Sequence, residues 1–195
     1  MSKKCGKKCV IVLNGPSVCN INNFLKERED ESFDIIAVNR WVEIFNRFGL
    51  RMPNYVIVGK NSLGYNRNLI RQLTSTTFYG IDKYPAKNYH QLKFGPAIVY
   101  GKRIDMKGAL WWSGLYAIQL ALKMEYDEIH IFGFTCTDQP DYGDVIRREP
   151  IRTGNVAKIV EFLTELKDSG LMAEKLFFYE NMQVHPFRVL ISRTE

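Results

Sequence analysis

The sequence predicts an α/β fold of three layers, with a mostly parallel sheet between two layers of helices. Short apolar runs that suit buried strands alternate with longer amphipathic segments that suit helices. Polar residues and glycines follow the carboxyl ends of several runs, as in the loops of doubly wound sheets. The 195 residues show no internal repeat, low-complexity tract or linker. We therefore expect a single Rossmann-like domain over residues 1–195.

Each strand predicted in the first half ends at a polar residue or a glycine. These strands are CVIVL at 9–13 before Asn14-Gly15-Pro16-Ser17, DIIAV at 34–38 before Asn39, and YVIV at 55–58 before Gly59-Lys60-Asn61. The other elements expected here are helices at 18–28 and 65–73, a strand at 76–79 and an edge strand at 97–100.

The second half contains the clearest helix of the chain, SGLYAIQLALK at 113–123. Its apolar residues form a broad stripe, and Ser113-Gly114 is a favourable pair for a helix N-terminus. EIHIF at 128–132 is a strand that ends at Gly133, and we expect His130 within it to be an interior residue. A helix at 154–168 and a strand at 175–178 complete the prediction.

Four of the predicted strands are followed by polar residues or glycines at equivalent positions. In a doubly wound sheet the ligand crevice lies beyond the carboxyl ends of the strands, where the strand order reverses. We therefore interpret these ends as the rim of one pocket. They are Asn14-Gly15, Asn39, Gly59–Asn61 and Gly133–Asp138.

Composition restricts the function classes only broadly. The net charge of +6 favours phosphate-bearing partners, including nucleic acid, although a solvated lysine-rich surface explains it equally well. The basic stretch from Arg51 to Arg71 carries interleaved tyrosines but no known nucleic-acid motif. The four cysteines form no CxxC pair and no apolar run suits a signal or a membrane span, which predicts a soluble, cytoplasmic protein with reduced thiols.

The loop after the first strand matches neither GxGxxG nor the Walker motif. Gly15 allows the backbone to approach a ligand closely, and the amide of Asn14 can both donate and accept. The hydroxyl of Ser17 can cap the following helix. A plain turn without a ligand explains the same residues.

Ser113-Gly114 presents backbone N–H groups at the positive end of a helix, which suits a phosphate.

Three segments in order, VLNGPS, IIAVNRW and SGLYAIQLALKMEYDEIHIFGF, resemble the bacterial sialyltransferases of glycosyltransferase family 42. The wider group of Asn-Gly-Pro-Ser nucleotide-sugar proteins is also similar, and the resemblance covers residues 9 to 165. It implies a glycosyltransferase-like domain that transfers a sugar from a nucleotide-activated, CMP-linked donor to an acceptor hydroxyl. It also implies that neither a metal nor another cofactor takes part.

The resemblance assigns substrate-binding roles position by position. Asn14, Gly15 and Asn39 match residues that hold the nucleotide, and Ser113 and Gly114 match those that reach the cytidine and its phosphate. Gly133, Phe134 and Thr135 fall beside the ribose, and Tyr142 lies where a tyrosine bonds the departing phosphate.

Catalysis needs a base for the acceptor hydroxyl and groups that stabilise the leaving phosphate. The catalytic candidates are Asp141 and Asp144, in a lid-like charged loop at 138–152, and His185 in a late loop. Asp138 and Glu149 are further candidate bases. Arg147, Arg148 and Arg152 are candidate phosphate ligands, and Trp111-Trp112 can stack on a ring or pack in the core.

The chain departs from the family pattern in two places. Leu110 stands where the family has an arginine, and 150–152 holds no counterpart of its catalytic histidine. Three alternatives therefore stay open: a nucleotide-binding module without turnover, a glycosyltransferase that modifies DNA, and a pyrophosphokinase-like activity.

Overall fold

The computed structural model describes residues 6–39, 41–59, 62–92, 97–104, 113–134 and 153–179. Its main feature is a seven-stranded sheet in which every neighbouring pair is parallel. The strands are β1 (Lys8–Val12), β2 (Phe33–Val38), β3 (Tyr55–Val58), β4 (Thr77–Gly80), β5 (Tyr89–Gln91), β8 (Glu128–Phe132) and β9 (Leu176–Tyr179). Their order is β5-β4-β3-β2-β1-β8-β9, and β6 (Ala97–Val99) pairs with β7 (Lys102–Ile104) in a separate hairpin.

Helices follow the strands and cover both faces of the sheet. They are α1 (Ile21–Lys26) after a 3₁₀ turn (Pro16–Asn20), α2 (Trp41–Phe48), α3 (Leu63–Gln72), α4 (Ser113–Lys123), α5 (Thr153–Asp168) and α6 (Leu171–Lys175). α1 to α3 pack on one face of the sheet and α4 and α5 on the other, the arrangement that right-handed crossovers would give. Of the helices described, none has the length and apolar character that crossing a bilayer requires.

The core lies on both sides of the sheet because alternate side chains of a strand point to opposite faces. In β1, Cys9 and Ile11 pack with α4 and α5, whereas Val10 and Val12 pack with α1 and α2. All four are fully buried. β1 is thus an unbroken apolar run because both its faces are covered.

The predicted three-layer, parallel α/β architecture is confirmed. The segments 113–123 and 128–132 form a helix and a strand with the predicted bounds. The edge strand at 97–100 was wrong. Tyr100 and Gly101 have φ values of 49° and 76°, which reverse the chain, so the segment pairs with its own continuation as a hairpin. The lid-like loop at 138–152 lies outside the described residues.

Candidate functional site

The strand order of the sheet reverses between β1 and β8. From β1 the chain adds β2, β3, β4 and β5 on one side, and β8 and β9 lie on the other side. Four strands end in polar residues or glycines, and they are direct neighbours in this sheet, in the order β3, β2, β1 and β8. Their ends therefore form one continuous edge, where doubly wound proteins bind ligands.

The loop after β1 is tied to the end of β8 by three hydrogen bonds. The Leu13 amide donates to the Phe132 carbonyl at 2.9 Å, and the Gly15 amide donates to the Gly133 carbonyl at 3.0 Å. The Gly133 amide donates to Ser17 Oγ at 2.7 Å. The Ser17 hydroxyl thus joins the loop to β8, and neither the 3₁₀ turn nor α1 has a side-chain cap at its N-cap residue.

Gly133 is required at the end of β8 by both space and backbone conformation. Its φ is +77°, in the left-handed region that favours glycine. A Cβ at this position would lie 2.7 Å from the Leu13 carbonyl carbon and 2.8 Å from Val18 Cγ2. The glycine therefore allows the two loops at the switch point to touch.

Asn39 joins the ends of β2 and β3 to the start of α4. Its Oδ1 accepts from the Gly59 amide at 2.9 Å and from Ser62 Oγ at 2.8 Å. Its Nδ2 donates to Ser113 Oγ at 3.0 Å, across 74 positions of sequence. We call Asn39, Gly59, Ser62 and Ser113 the Asn39 clasp. The clasp fixes three separate segments at this edge.

Asn66 in α3 supports the clasp from below. It is fully buried, and its Nδ2 donates to the backbone carbonyls of Asn39 at 3.0 Å and Ser62 at 2.8 Å. Ser62, Asn66 and the buried Ile70 are spaced four residues apart and so share one face of the α3 segment. The sequence prediction missed Ser62 and Asn66. Their signal in the sequence was the spacing of four residues that places both on the same helix face as the apolar Ile70.

The first turn of α4 lies above this edge. Ser113 is half-buried and Gly114 is buried, and α4 is an 11-residue helix whose first amides have no partner within the helix. The positive end of the helix dipole therefore lies at this edge, where Ser113 contacts Asn39. Burial raises the pKa of Tyr116, in the same turn, to about 12, so its hydroxyl remains protonated at neutral pH.

Asn14 lies beside the clasp at the end of β1. Val12 pairs with Ala37 in the β1–β2 register, so Asn14 and Asn39 each lie two residues further along neighbouring strands. Asn14 is half-buried, and its Oδ1 is shielded from solvent with no hydrogen-bond partner among the described residues. An unused acceptor at a crevice suits a ligand hydroxyl or amine.

The clasp, Asn66 and the loop over Asn14–Ser17 contain only uncharged side chains. The network of hydrogen bonds among these described residues is therefore neutral, and its positive potential comes from the N-terminal end of α4. In the part of the chain that the structure describes, no three His, Cys, Asp or Glu side chains are grouped to hold a metal ion.

The structure brings several of the predicted site residues together. Asn39 contacts Ser113, the residue before Gly114, and Gly15 contacts Gly133. Asn14 lies between these two contacts, at the end of β1. The predicted residues Thr135, Asp141, Tyr142, Asp144 and His185 lie outside the described residues, as do the candidate arginines and Trp111-Trp112.

His130 is an interior residue, as expected, with 1% of its surface exposed. Nε2 lies 3.1 Å from a carboxylate oxygen of Glu128, and Nδ1 lies 2.9 Å from the hydroxyl of Tyr179. Because a carboxylate only accepts, the neutral ring carries its proton on Nε2 and accepts from Tyr179 at Nδ1. Burial lowers the pKa of this imidazole to about 4.

The architecture and this edge define a doubly wound α/β protein whose described residues at the switch point join the strand ends through side-chain amides and hydroxyls. No protein-family model matches the sequence, and a search of curated proteins finds no significant match. Among solved structures, the chain is similar to the sialyltransferase CstII from Campylobacter jejuni, determined in complex with the substrate analogue cytidine-5'-monophosphate. The sequence identity is 16%, the TM-score is 0.51, and the match covers 97% of this chain and 85% of that chain. The likeness establishes a shared fold.

Proposed function

We propose that this protein is a glycosyltransferase that binds a cytidine nucleotide at the carboxyl edge of β1, β2, β3 and β8. The observation that carries the proposal is the convergence of Asn14, Gly15, Asn39, Ser113 and Gly133 at the switch point. The sequence motifs resemble those of sialyltransferases, and the fold is shared with a sialyltransferase that was solved with cytidine-5'-monophosphate. The motif resemblance and the shared fold both support a cytidine nucleotide as the ligand.

The neutral edge suits the nucleotide half of such a reaction. The first-turn amides of α4 provide donors for a phosphate oxygen, and the unused Oδ1 of Asn14 provides an acceptor for a ribose hydroxyl or a cytosine amine. Gly15 would let the backbone approach the ligand closely, and Gly133 lets the loop that carries Gly15 pack against the end of β8. These groups would bind the donor and stabilise the phosphate charge that develops on departure.

The transfer step needs groups beyond the described edge. The acceptor hydroxyl attacks the anomeric carbon of the donor while the bond from that carbon to the phosphate oxygen breaks, and the nucleoside monophosphate leaves. A base takes the hydroxyl proton, and we propose Asp141, Asp144 or His185 for this role and Tyr142 as a donor to the leaving phosphate. We further propose that the reaction proceeds without a metal.

The first experiment is a thermal-shift series with cytidine, uridine and guanosine monophosphates, followed by calorimetric titration. A ligand at about a hundred times its dissociation constant stabilises the folded state by about 2.7 kcal/mol. We expect this stabilisation with the cytidine nucleotide. Absence of a shift with every nucleotide would refute the proposal.

Two variants locate the binding. Asn14→Ala removes the unused acceptor and should weaken cytidine-5'-monophosphate binding about tenfold, as expected for one lost hydrogen bond. Asn23→Ala, at an exposed position of α1, is its matched control. Ser113→Ala should weaken binding to a similar degree, and Ser75→Ala, an exposed serine between α3 and β4, should not.

Turnover separates an enzyme from a binding module. Incubation of the protein with a CMP-linked sugar and EDTA should release free cytidine-5'-monophosphate, and the combined variant Asp141→Asn, Asp144→Asn and His185→Gln should abolish the release. Binding without release would support a module that has lost catalysis, in agreement with Leu110 and with the histidine missing from 150–152.

A further inference from the structure

The side-chain amide of Asn39 is used by the protein itself. The Gly59 amide and Ser62 Oγ donate to Oδ1 at 2.9 Å and 2.8 Å, and Ser113 Oγ lies further from it, at 3.2 Å. An amide oxygen has two lone pairs, so this acceptor has no remaining capacity. The Gly59 amide also fixes which side of the group is the oxygen. Nδ2 therefore faces Ser113 Oγ, at 3.0 Å.

The backbone of Asn39 explains why an amide side chain performs this task. Its amide still donates to the Ile57 carbonyl at 2.8 Å, as the parallel β2–β3 ladder requires. Its φ of 49° then turns the chain away from β3, a conformation that asparagine tolerates better than most residues. The side-chain oxygen takes the next bond, from Gly59, and the backbone carbonyl accepts from Asn66 instead.

We infer that Asn39 is a positioning residue that sets the Ser113 hydroxyl and the first turn of α4, and that it does not touch the nucleotide. The Gly59 amide and Ser62 Oγ fill the two lone pairs of Oδ1, and Nδ2 donates to Ser113 Oγ. The Ser113 proton is therefore available to an acceptor on a ligand, such as a phosphate oxygen. Asn39 therefore sets the position of Ser113 and also the direction of its hydrogen bonds, because Ser113 Oγ accepts from Nδ2. The nucleotide part of this inference rests on the proposed function.

Gly59 provides a way to open the clasp while keeping the amide of Asn39. A Cβ at Gly59 would lie 2.8 Å from Ser113 Oγ and 2.9 Å from Asn39 Oδ1, and the third nearest atom is Asn39 Cγ, at 3.8 Å. Both atoms end short side chains, so Gly59→Ala should separate them and leave the backbone in place. Gly64→Ala is the matched control, because a Cβ at that α3 position meets nothing within 4 Å.

The first test is a double-mutant cycle of Asn39→Gly and Ser113→Ala, read as the dissociation constant of cytidine-5'-monophosphate well below the unfolding temperature. Glycine keeps the backbone turn at residue 39. We expect each single variant to bind about tenfold more weakly. The double variant should match Ser113→Ala within about twofold, because Asn39 acts through Ser113. Fold-losses that multiply would show that Asn39 contacts the ligand, and would overturn the inference.

The second test needs no ligand and uses amide hydrogen exchange measured by NMR. Asn39→Gly and Gly59→Ala should both accelerate exchange at Ala117, whose amide bonds to residue 113 in an α-helix, and leave Leu122 unchanged. Asn39→Gly should also expose the Gly59 amide, whereas Ser113→Ala and Gly64→Ala should not. Unchanged exchange at Ala117 would overturn the inference. Failure of the wild type to bind the nucleotide would refute the proposed function, and this exchange pattern would still decide whether Asn39 positions Ser113.

Discussion

The two ends of the parallel sheet are stabilised by different chemistry. At the carboxyl edge, neutral amides and hydroxyls form the Asn39 clasp, and Ser17 joins the β1 loop to Gly133. At the amino ends of β1 and β8 the contacts are charged, whereas neutral hydrogen bonds of Asn54, Thr76 and Asn88 precede β3, β4 and β5. Lys8 Nζ lies 2.6 Å from Glu31 and 2.9 Å from Glu128, and Glu128 lies 3.1 Å from His130.

This difference separates two kinds of sensitivity. Neutral hydrogen bonds depend on direction and distance and respond little to pH or salt, whereas ion pairs titrate and are screened. The carboxyl edge should therefore respond to changes of shape, and the charged cluster at the amino ends of β1 and β8 to changes of solution conditions. The arrangement places the geometrically exact network where we propose that the ligand binds.

The largest expected effect is steric and lies at the carboxyl edge. Gly133→Ala combines a left-handed φ with a Cβ 2.7 Å from the Leu13 backbone, and should destabilise the protein by about 3 kcal/mol or more in urea unfolding followed by circular dichroism. Gly101→Ala is the matched control. Its φ is +76° but nothing lies within 4 Å of its Cβ, so it should cost about 1 kcal/mol. Equal costs at the two glycines would show that the switch point is not tightly packed.

The next effect is acid sensitivity at the amino edge. Burial lowers the pKa of His130 from 6.5 to about 4, so the unfolded chain binds the proton more readily. The stability that the neutral ring provides is complete above pH 6.5 and is lost as the pH falls toward 4. The full loss is on the order of 3 kcal/mol.

The measurement is the free energy of unfolding as a function of pH. His130→Gln keeps a donor and an acceptor but does not titrate, so its profile should be flatter between pH 6.5 and 4. His90→Gln, at an exposed position of β5, is the control and should retain the wild-type slope. A wild-type slope in His130→Gln would assign the acid loss to other groups.

Long apolar patterns made most of the fold predictable from the sequence. β1 and α4 are buried along most of their length, so their patterns carry a strong signal. α2 was missed although Trp41, Ile44 and Phe45 show the helical spacing of its buried face. β5 has three residues, of which only Tyr89 is buried, and so has no pattern to read. β5, at the edge of the sheet, depends on neighbours that the local sequence does not specify.

The candidate site was predictable as a set of positions but not as a set of contacts. Asn14, Asn39 and Gly133 follow apolar strands, which the sequence shows directly. The bond between Asn39 and Ser113 spans 74 positions, and only the strand order makes it possible. The role of Asn39 therefore changes from the ligand that the motif resemblance implied to the positioning residue that we infer.

The smallest expected effect is screening of the Lys8 pair. Glu31→Gln removes one carboxylate from a partly exposed cluster in which Glu128 still contacts Lys8, so it should cost under about 1 kcal/mol at low salt. Hydrogen bonds with Glu31 and Glu128 raise the pKa of Lys8, and added salt should reduce the cost of Glu31→Gln further.

Ser62→Ala at the carboxyl edge should cost about 1 kcal/mol at every salt concentration, because a buried neutral hydroxyl is lost. Urea unfolding at low and high salt measures both, with Glu27→Gln, an exposed glutamate in the same turn, as the control. A salt-dependent cost for Ser62→Ala would remove the distinction between the two edges.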